Sequence, residues 1–412
     1  MQGKSRARTI FGGMKPYLRR TFWVLALTAL IGALPEPPAL QGERGGGARE
    51  TAIPAAEFSR IIGEFSETGG YFRSDNLVSN ETAYLHVVDQ LRELGISGGA
   101  YLGVGPEQNF TYIAKIRPRI AFIVDIRRQA VIQHLMYKAL FHLAETRAEF
   151  LSLLFSRPLT GAAAPGPDAS AEEMVAYFAR AAPDNLAYRR NLARIRTTVI
   201  RDFRIAIDAQ DQASLDYVYG AFRDEGLDLR YQSGGFSGRY GGYGHPARFG
   251  WGYFPSLRDL ILMRDRHGKP GNFLASRGDY EFLRSLHESN RIIPIVGDFA
   301  GRKALAAVTA YLKAHGLAVT AFYTSNVEQY LFRNGTFDAF AGNVAALPAT
   351  PNSILIRAYP NNPRMPHPAQ AANHRLTTLL QKMAVFVDDY RQGLYTDYWT
   401  LVTTHYIAPQ GY

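Results

Sequence analysis

Residues 98–129 read GGAYLGVGPEQNFTYIAKIRPRIAFIVDIRRQ, and the order of patterns within them sets the architecture. The apolar run AYLGVG ends in glycines, a short helical segment follows, and a second apolar run, RIAFIVDI, closes at Asp125. Near-continuous apolar strands separated by helices belong to a parallel sheet covered on both faces. A glycine at a strand end lets the backbone turn and approach a ligand with no Cβ in the way. The next helix turns its free N–H groups toward a polar or anionic group. Asp125 falls 22 positions after Gly103, where a carboxylate could accept hydrogen bonds from both ribose hydroxyls of a nucleotide. Gly103 and Gly105 supply two of the three glycines usual in such loops. The competing reading is a helix-packing glycine turn followed by a capping aspartate.

The same rhythm extends outward. AAEFSRIIGEFSE has amphipathic helical spacing. Ser79 and Asn80 stand as polar caps before Glu81 and a helix carrying Leu85, Val88 and Leu91, which Gly95 ends. A long helix is expected over 127–144. Residues 145–230 read as mostly helical, so a large helical insertion, about 145–260, interrupts the α/β unit. The rhythm returns with the strand RIIPIVGDFAG, the helix RKALAAVTAYLKAHG, and the strands AVTAFYTSNV and SILIRAYP. Residues 374–393 are expected to add a helix, and YTDYWTLVTTHYI a last strand.

The carboxyl ends of parallel strands are where ligands sit, which directs attention to FYTSNVEQYLF. Tyr323, Asn326 and Glu328 are the candidate catalytic groups there, with Tyr323 or Glu328 as a base. Ser325 reads first as a helix cap, whereas Asn326 is open between cap and site. Glu81 reads first as a capping-box acid, with a pocket carboxylate as the alternative.

The GVGPEQ loop, Asp125 and the GDF segment together resemble the class I S-adenosylmethionine-dependent methyltransferases. The strings SDNLVSNE, YLGVGPEQNFTYIA, FIVDIRRQ and TSNVEQYLF are similar to an uncharacterised bacterial family with a methyltransferase-like Rossmann fold. The resemblance implies a Rossmann-like α/β domain over 53–412, a mostly parallel sheet with helices on both faces, and S-adenosylmethionine as cofactor. It assigns Gly103, Gly105, Glu107 and Asn109 to the cofactor loop, and Asp125 with Ile126 to the ribose side. Asp298 and Phe299 fall beside the adenine. The chain departs from the glycine pattern at its third position and lacks a plain acidic-Pro-Pro-aromatic motif. The expected function is an S-adenosylmethionine-binding or methyltransferase-like protein of unspecified acceptor. The alternative is an exported, non-catalytic Rossmann-like binding or interaction protein.

Composition limits the rest. Of 412 residues, 47% are hydrophobic and 20% charged, a globular balance. The net charge of +10 is concentrated at the start: residues 1–35 hold Lys4, Arg6, Arg8, Lys15, Arg19 and Arg20 with no acid. The remaining chain has 40 basic and 36 acidic residues, so bulk charge argues for no particular partner. The glycine loop and spaced acid make a small-molecule ligand the expected partner, and no nucleic acid is expected. The basic stretch before TFWVLALTALIGALP, followed by a Pro/Gly-rich linker, reads over 1–52 as an export signal of twin-arginine character, placing the protein in the periplasm. An uncleaved membrane anchor is the alternative. There is no cysteine, which excludes thiolate chemistry and disulfides. The histidines are scattered without metal-ligand spacing, so no metal is expected. The stretch 230–254, with arginine and aromatics among glycines, reads first as a lid or pocket wall.

Overall fold

The computed structural model describes residues 51–161, 163–231 and 254–409. Residues 1–50, where an export signal or anchor is expected, and residues 232–253 of the Gly/Tyr/Arg stretch lie outside them. Six strands form one sheet: β1 (Ala100–Gly103), β2 (Ile120–Asp125), β3 (Ile292–Val296), β4 (Val319–Ser325), β5 (Ala349–Pro360) and β6 (Leu376–Lys382). Their order is β3-β2-β1-β4-β5-β6. All neighbours are parallel except β5 and β6, so the chain is a mixed α/β protein with an antiparallel edge strand. β1, β2 and β3 are buried along their whole length, which is why their sequences are apolar without alternation. Pro294 sits inside β3, tolerated because β3 is an edge strand whose outer side has no sheet partner to lose.

The order in which strands are added reverses at β1, with β2 and β3 to one side and β4 to β6 to the other. The connection from β1 to β2 runs through helix Gln108–Ile116, and that from β2 to β3 through helices Arg128–Leu143 and Arg277–Glu288, which pack against each other. From β3 onward the crossovers lie with helices Ala304–Ala314, Phe337–Ala346 and Met383–Arg391, which form a second contiguous layer reached also by helix Ala55–Phe65. β1 and β4 therefore flank a switch point, where a doubly wound sheet leaves a crevice at the carboxyl ends of its strands. Between the two helices of the β2–β3 connection, five more α-helices follow among the described residues, from Arg147–Phe155 to Leu257–Ile261. Their core continues that of the sheet through Phe110, Phe141, Phe150, Phe273 and Tyr280, whose rings meet mostly edge to face or tilted, with Phe141 stacked on Tyr280.

The C-terminal part differs from expectation. The strand comes first, as β6, and the helix Met383–Arg391 follows it directly. YTDYWTLVTTHYI is not a strand: it holds helix Tyr398–Thr403, capped by Asp397. It meets the sheet through an isolated bridge from Ile407 to Leu380 and through side-chain contacts such as the Tyr398 hydroxyl donating to the Ala358 carbonyl. β1 also stops at Gly103 rather than running to Gly105. Among the described residues no helix is long and apolar enough to cross a membrane.

Candidate functional site

A cavity of about 400 Å³ opens at the carboxyl ends of β1 to β4. Gly105 and Pro106 bound it after β1, Asp125 and Ile126 after β2, Asp298 and Phe299 after β3, and Tyr323, Ser325 and Asn326 at the end of β4. Tyr71, Phe72, Tyr231 and Tyr330 supply aromatic walls. Phe72 and Tyr330 meet edge to face at 5.3 Å. Tyr231 stacks on Phe254.

Glu81 also lines the cavity, although the sequence favoured a helix cap for it. The following helical segment starts only at Tyr84, with no side-chain cap. Glu81 is 1% exposed. Its Oε1 accepts from the Tyr323 hydroxyl and from the Ser325 hydroxyl, each at 2.6 Å, and its Oε2 accepts from Gln108 Nε2 at 3.1 Å. All three donors are neutral. Burial pushes the Glu81 carboxyl above its ordinary range, against the pull of those hydrogen bonds. The Tyr323 phenol is driven far up, by burial first and the nearby carboxylate second. Ser325 is likewise no cap: helix Val327–Asn334 has Asn326 at its N-cap and no side-chain cap bond. Its backbone stands at φ 54°, a left-handed turn that ends β4.

Asp125 is more heavily engaged than its position alone suggests. Oδ1 accepts from the backbone N–H and Nε of Arg127, both at 3.0 Å, and Oδ2 from Arg127 Nη2 at 2.7 Å. Arg127 also donates to the carbonyls of Ser74 and Asp75, tying the segment before Asn76 onto the cavity wall. A carboxylate has about four acceptor sites. Three are filled, so one ribose hydroxyl can be met at Oδ2 rather than two.

The glycine loop divides its labour. A Cβ on Gly103 would lie 2.0 Å from Asn109 Oδ1 and 2.7 Å from the Tyr101 ring. Asn109, fully buried, donates to the carbonyls of Val104, Gly105 and Pro106 and accepts from the Tyr101 hydroxyl at 2.9 Å. Gly103 and Asn109 thus hold the loop's shape and do not line the cavity. Gly105, by contrast, takes φ 79° and has open space where a Cβ would stand, so the backbone there faces the cavity bare. Glu107 does not line the cavity either. It is buried, accepts from the Ser79 N–H at 3.1 Å, leaves Oε2 unpartnered, and is pushed up to about 7 by burial. Gly103→Ala is expected to destabilise the protein by about 1–3 kcal/mol through overpacking against Asn109. A thermal melt within about 1 °C of wild type would contradict this role.

Beyond β3, half-buried Asp298 accepts from the Ala300 N–H at 2.9 Å, and the Phe299 ring packs on Phe322 at 4.9 Å. Glu67 occupies the N-terminus of the next helix, accepting from the N–H groups of Asp298, Lys303 and Ala304. Asn326 is at the cavity edge, its side chain 3.4 Å from Gln329. Glu328 is not brought to the site. It is fully buried beneath the helix, paired with Arg357 at 2.8 Å and bonded by the Thr324 hydroxyl. A group so held cannot reach a substrate. Among the described residues no cluster of three or more His, Asp or Glu could hold a metal ion.

The family profile described as Domain of unknown function (DUF7790) matches residues 76–212 and 254–402. The chain belongs to this family. The matched residues take in all six strands, together with Glu81, Asp125, Asp298 and Tyr323. A comparison with curated proteins gave no match.

Proposed function

We propose that the cavity binds S-adenosylmethionine, in a Rossmann-like domain of methyltransferase type. The observation that carries this reading is Glu81, a buried carboxylate on the cavity wall with only neutral donors around it. Such a group gains most from a cationic ligand. The donor set supports the rest. Gly105 leaves backbone open to a ligand, Asp125 Oδ2 keeps one acceptor site for a ribose hydroxyl, and Ile126 and Phe299 give an apolar slot beside the acceptor Asp298. The cavity volume falls within the range of small-molecule sites.

Bound there, S-adenosylmethionine would supply an electrophilic methyl group. The chain's part is to orient an acceptor and take up its proton. Glu81 is suited to hold that proton, because burial raises its carboxyl. Tyr323 and Ser325 fix its orientation, and Asn326 at the rim can hydrogen-bond an acceptor.

Calorimetry with S-adenosylmethionine and S-adenosylhomocysteine tests this, since the two differ by the methyl that makes the sulfur cationic. Wild type should bind both and prefer the former. Glu81→Gln should lose about tenfold affinity for S-adenosylmethionine, or about 1.4 kcal/mol, and less for the homocysteine product. No heat from wild type with either ligand at millimolar concentration rejects the cofactor. Asp125→Ala is the poorer probe, because it strands the buried Arg127. One observation favours a second reading, a binding domain without chemistry: Asp125 already spends most of its acceptors on Arg127. A wild type that binds a nucleoside without distinguishing the two ligands would favour it.

A further inference from the structure

The helical insertion carries a feature that the cavity does not use. Helix Asn185–Thr197 runs into a π-helical turn, Thr198–Asp202. Residues 185–201 contain five arginines and no acid, and Arg204 follows shortly after. Arg196 pairs with Asp216. Arg189, Arg190, Arg194, Arg201 and Arg204 are exposed, and among the described residues their guanidinium groups have no hydrogen bond or ion pair, Arg204 being bonded only through its carbonyl, which accepts from the Ser59 hydroxyl. At helical spacing, Leu186, Ala193 and Thr197 fall on one line, with Arg189 on one side of it and Arg190 and Arg194 on the other. Ile200 is exposed in the turn beyond. Leu186 is 66% and Ile200 46% exposed, two of the few large apolar side chains left open. The opposite stripe, Ala187, Asn191, Leu192 and Ile195, is buried, so the helix is anchored with this face outward. The acids at its ends, Asp184 and Asp202, are single charges; Asp184 caps the helix.

We propose that this face docks on an anionic lipid bilayer. An apolar line flanked by arginines fits the headgroup region, where Leu186 and Ile200 leave water while the guanidinium groups reach lipid phosphates. Nucleic acid fits less well. It would leave the apolar line unburied, and among the described residues the face offers no aromatic ring for a base to stack on. The surface lies on the insertion and is independent of the ligand reading.

Vesicle co-sedimentation of the full chain tests this, with phosphatidylcholine alone and with phosphatidylcholine containing phosphatidylglycerol, against the triple variant Arg189→Glu, Arg190→Glu, Arg194→Glu. The basic, apolar leader is common to both proteins, so their difference reports the helix face. Wild type should bind the anionic vesicles more tightly, and the variant should lose at least about tenfold of that binding with an unchanged circular dichroism spectrum. Leu186→Ser with Ile200→Ser should weaken what remains at high salt. Equal binding by wild type and the triple variant overturns the proposal, as does no anionic preference in wild type. Salt-sensitive oligonucleotide binding lost in the triple variant, with vesicle binding unchanged, would reassign the face to nucleic acid.

Discussion

Arg357→Ala is expected to cost about 3–5 kcal/mol, enough to unfold much of the population of a marginally stable domain. Arg357 is 2% exposed and donates to Glu328 at 2.8 Å and to Gln381 at 2.7 Å. It joins the helix after β4 to β5 and β6. Without it, the Glu328 carboxylate remains buried with only the Thr324 hydroxyl. Glu328→Ala should cost a similar amount by orphaning the guanidinium. The paired variant Glu328→Leu with Arg357→Met should recover most of the loss, because two buried charges leave together. Urea denaturation of the four proteins gives the coupling. Strictly additive losses would mean that the ion pair is not the unit. A stable Glu328→Ala protein that failed only in ligand binding would return Glu328 to the site.

The second large effect depends on pH. Lys138 is buried between the rings of Phe58 and Phe203, 4.8 and 4.4 Å from its ammonium, and its one hydrogen bond goes to the His287 carbonyl. Burial pulls its pKa down to about 7. From about pH 7 to 10 the unfolded chain therefore binds a proton that the folded chain does not. Stability should rise through this window by about 1.4 kcal/mol per pH unit from this residue, with the full cost of the buried charge reached below pH 7. Glu107, raised to about 7, titrates beneath the window. Lys138→Met should be more stable than wild type at pH 7, and the difference should shrink toward pH 10. Denaturation curves at pH 7, 8 and 9 decide it: parallel pH dependence in the two proteins would show that Lys138 stays charged.

The parallel sheet was legible because fully buried strands are apolar throughout, and the helical insertion because its amphipathic segments are long. The end of the chain was not. Residues 376–391 run from β6 straight into a helix and contain no glycine or proline, so local patterns cannot place the border. In the site, Gly105, Asp125, Asp298 and Tyr323 meet because each ends, or closely follows, a strand on the same side of the sheet. What sequence could not supply were partners far along the chain. Glu81 is defined by hydroxyls 242 and 244 positions away, whereas its local surroundings resemble a cap. Glu328 is withdrawn by an arginine on the neighbouring strand, 29 positions on. Arg127, two residues past the expected ribose carboxylate, changes what that carboxylate has left to offer.

The placement of the insertion has a consequence for how the molecule is made. β2 ends at Asp125 and its sheet neighbour β3 begins at Ile292, leaving 166 residues between them. During synthesis the outer edge of β2 waits on the order of 10–30 s for its partner, given roughly 5–20 residues added per second. Pairing must then close that long loop, a slow event unless the intervening helices have already drawn its ends together. Lesions within the insertion are therefore expected to appear as slowed refolding with an association-prone sheet edge rather than as a local defect.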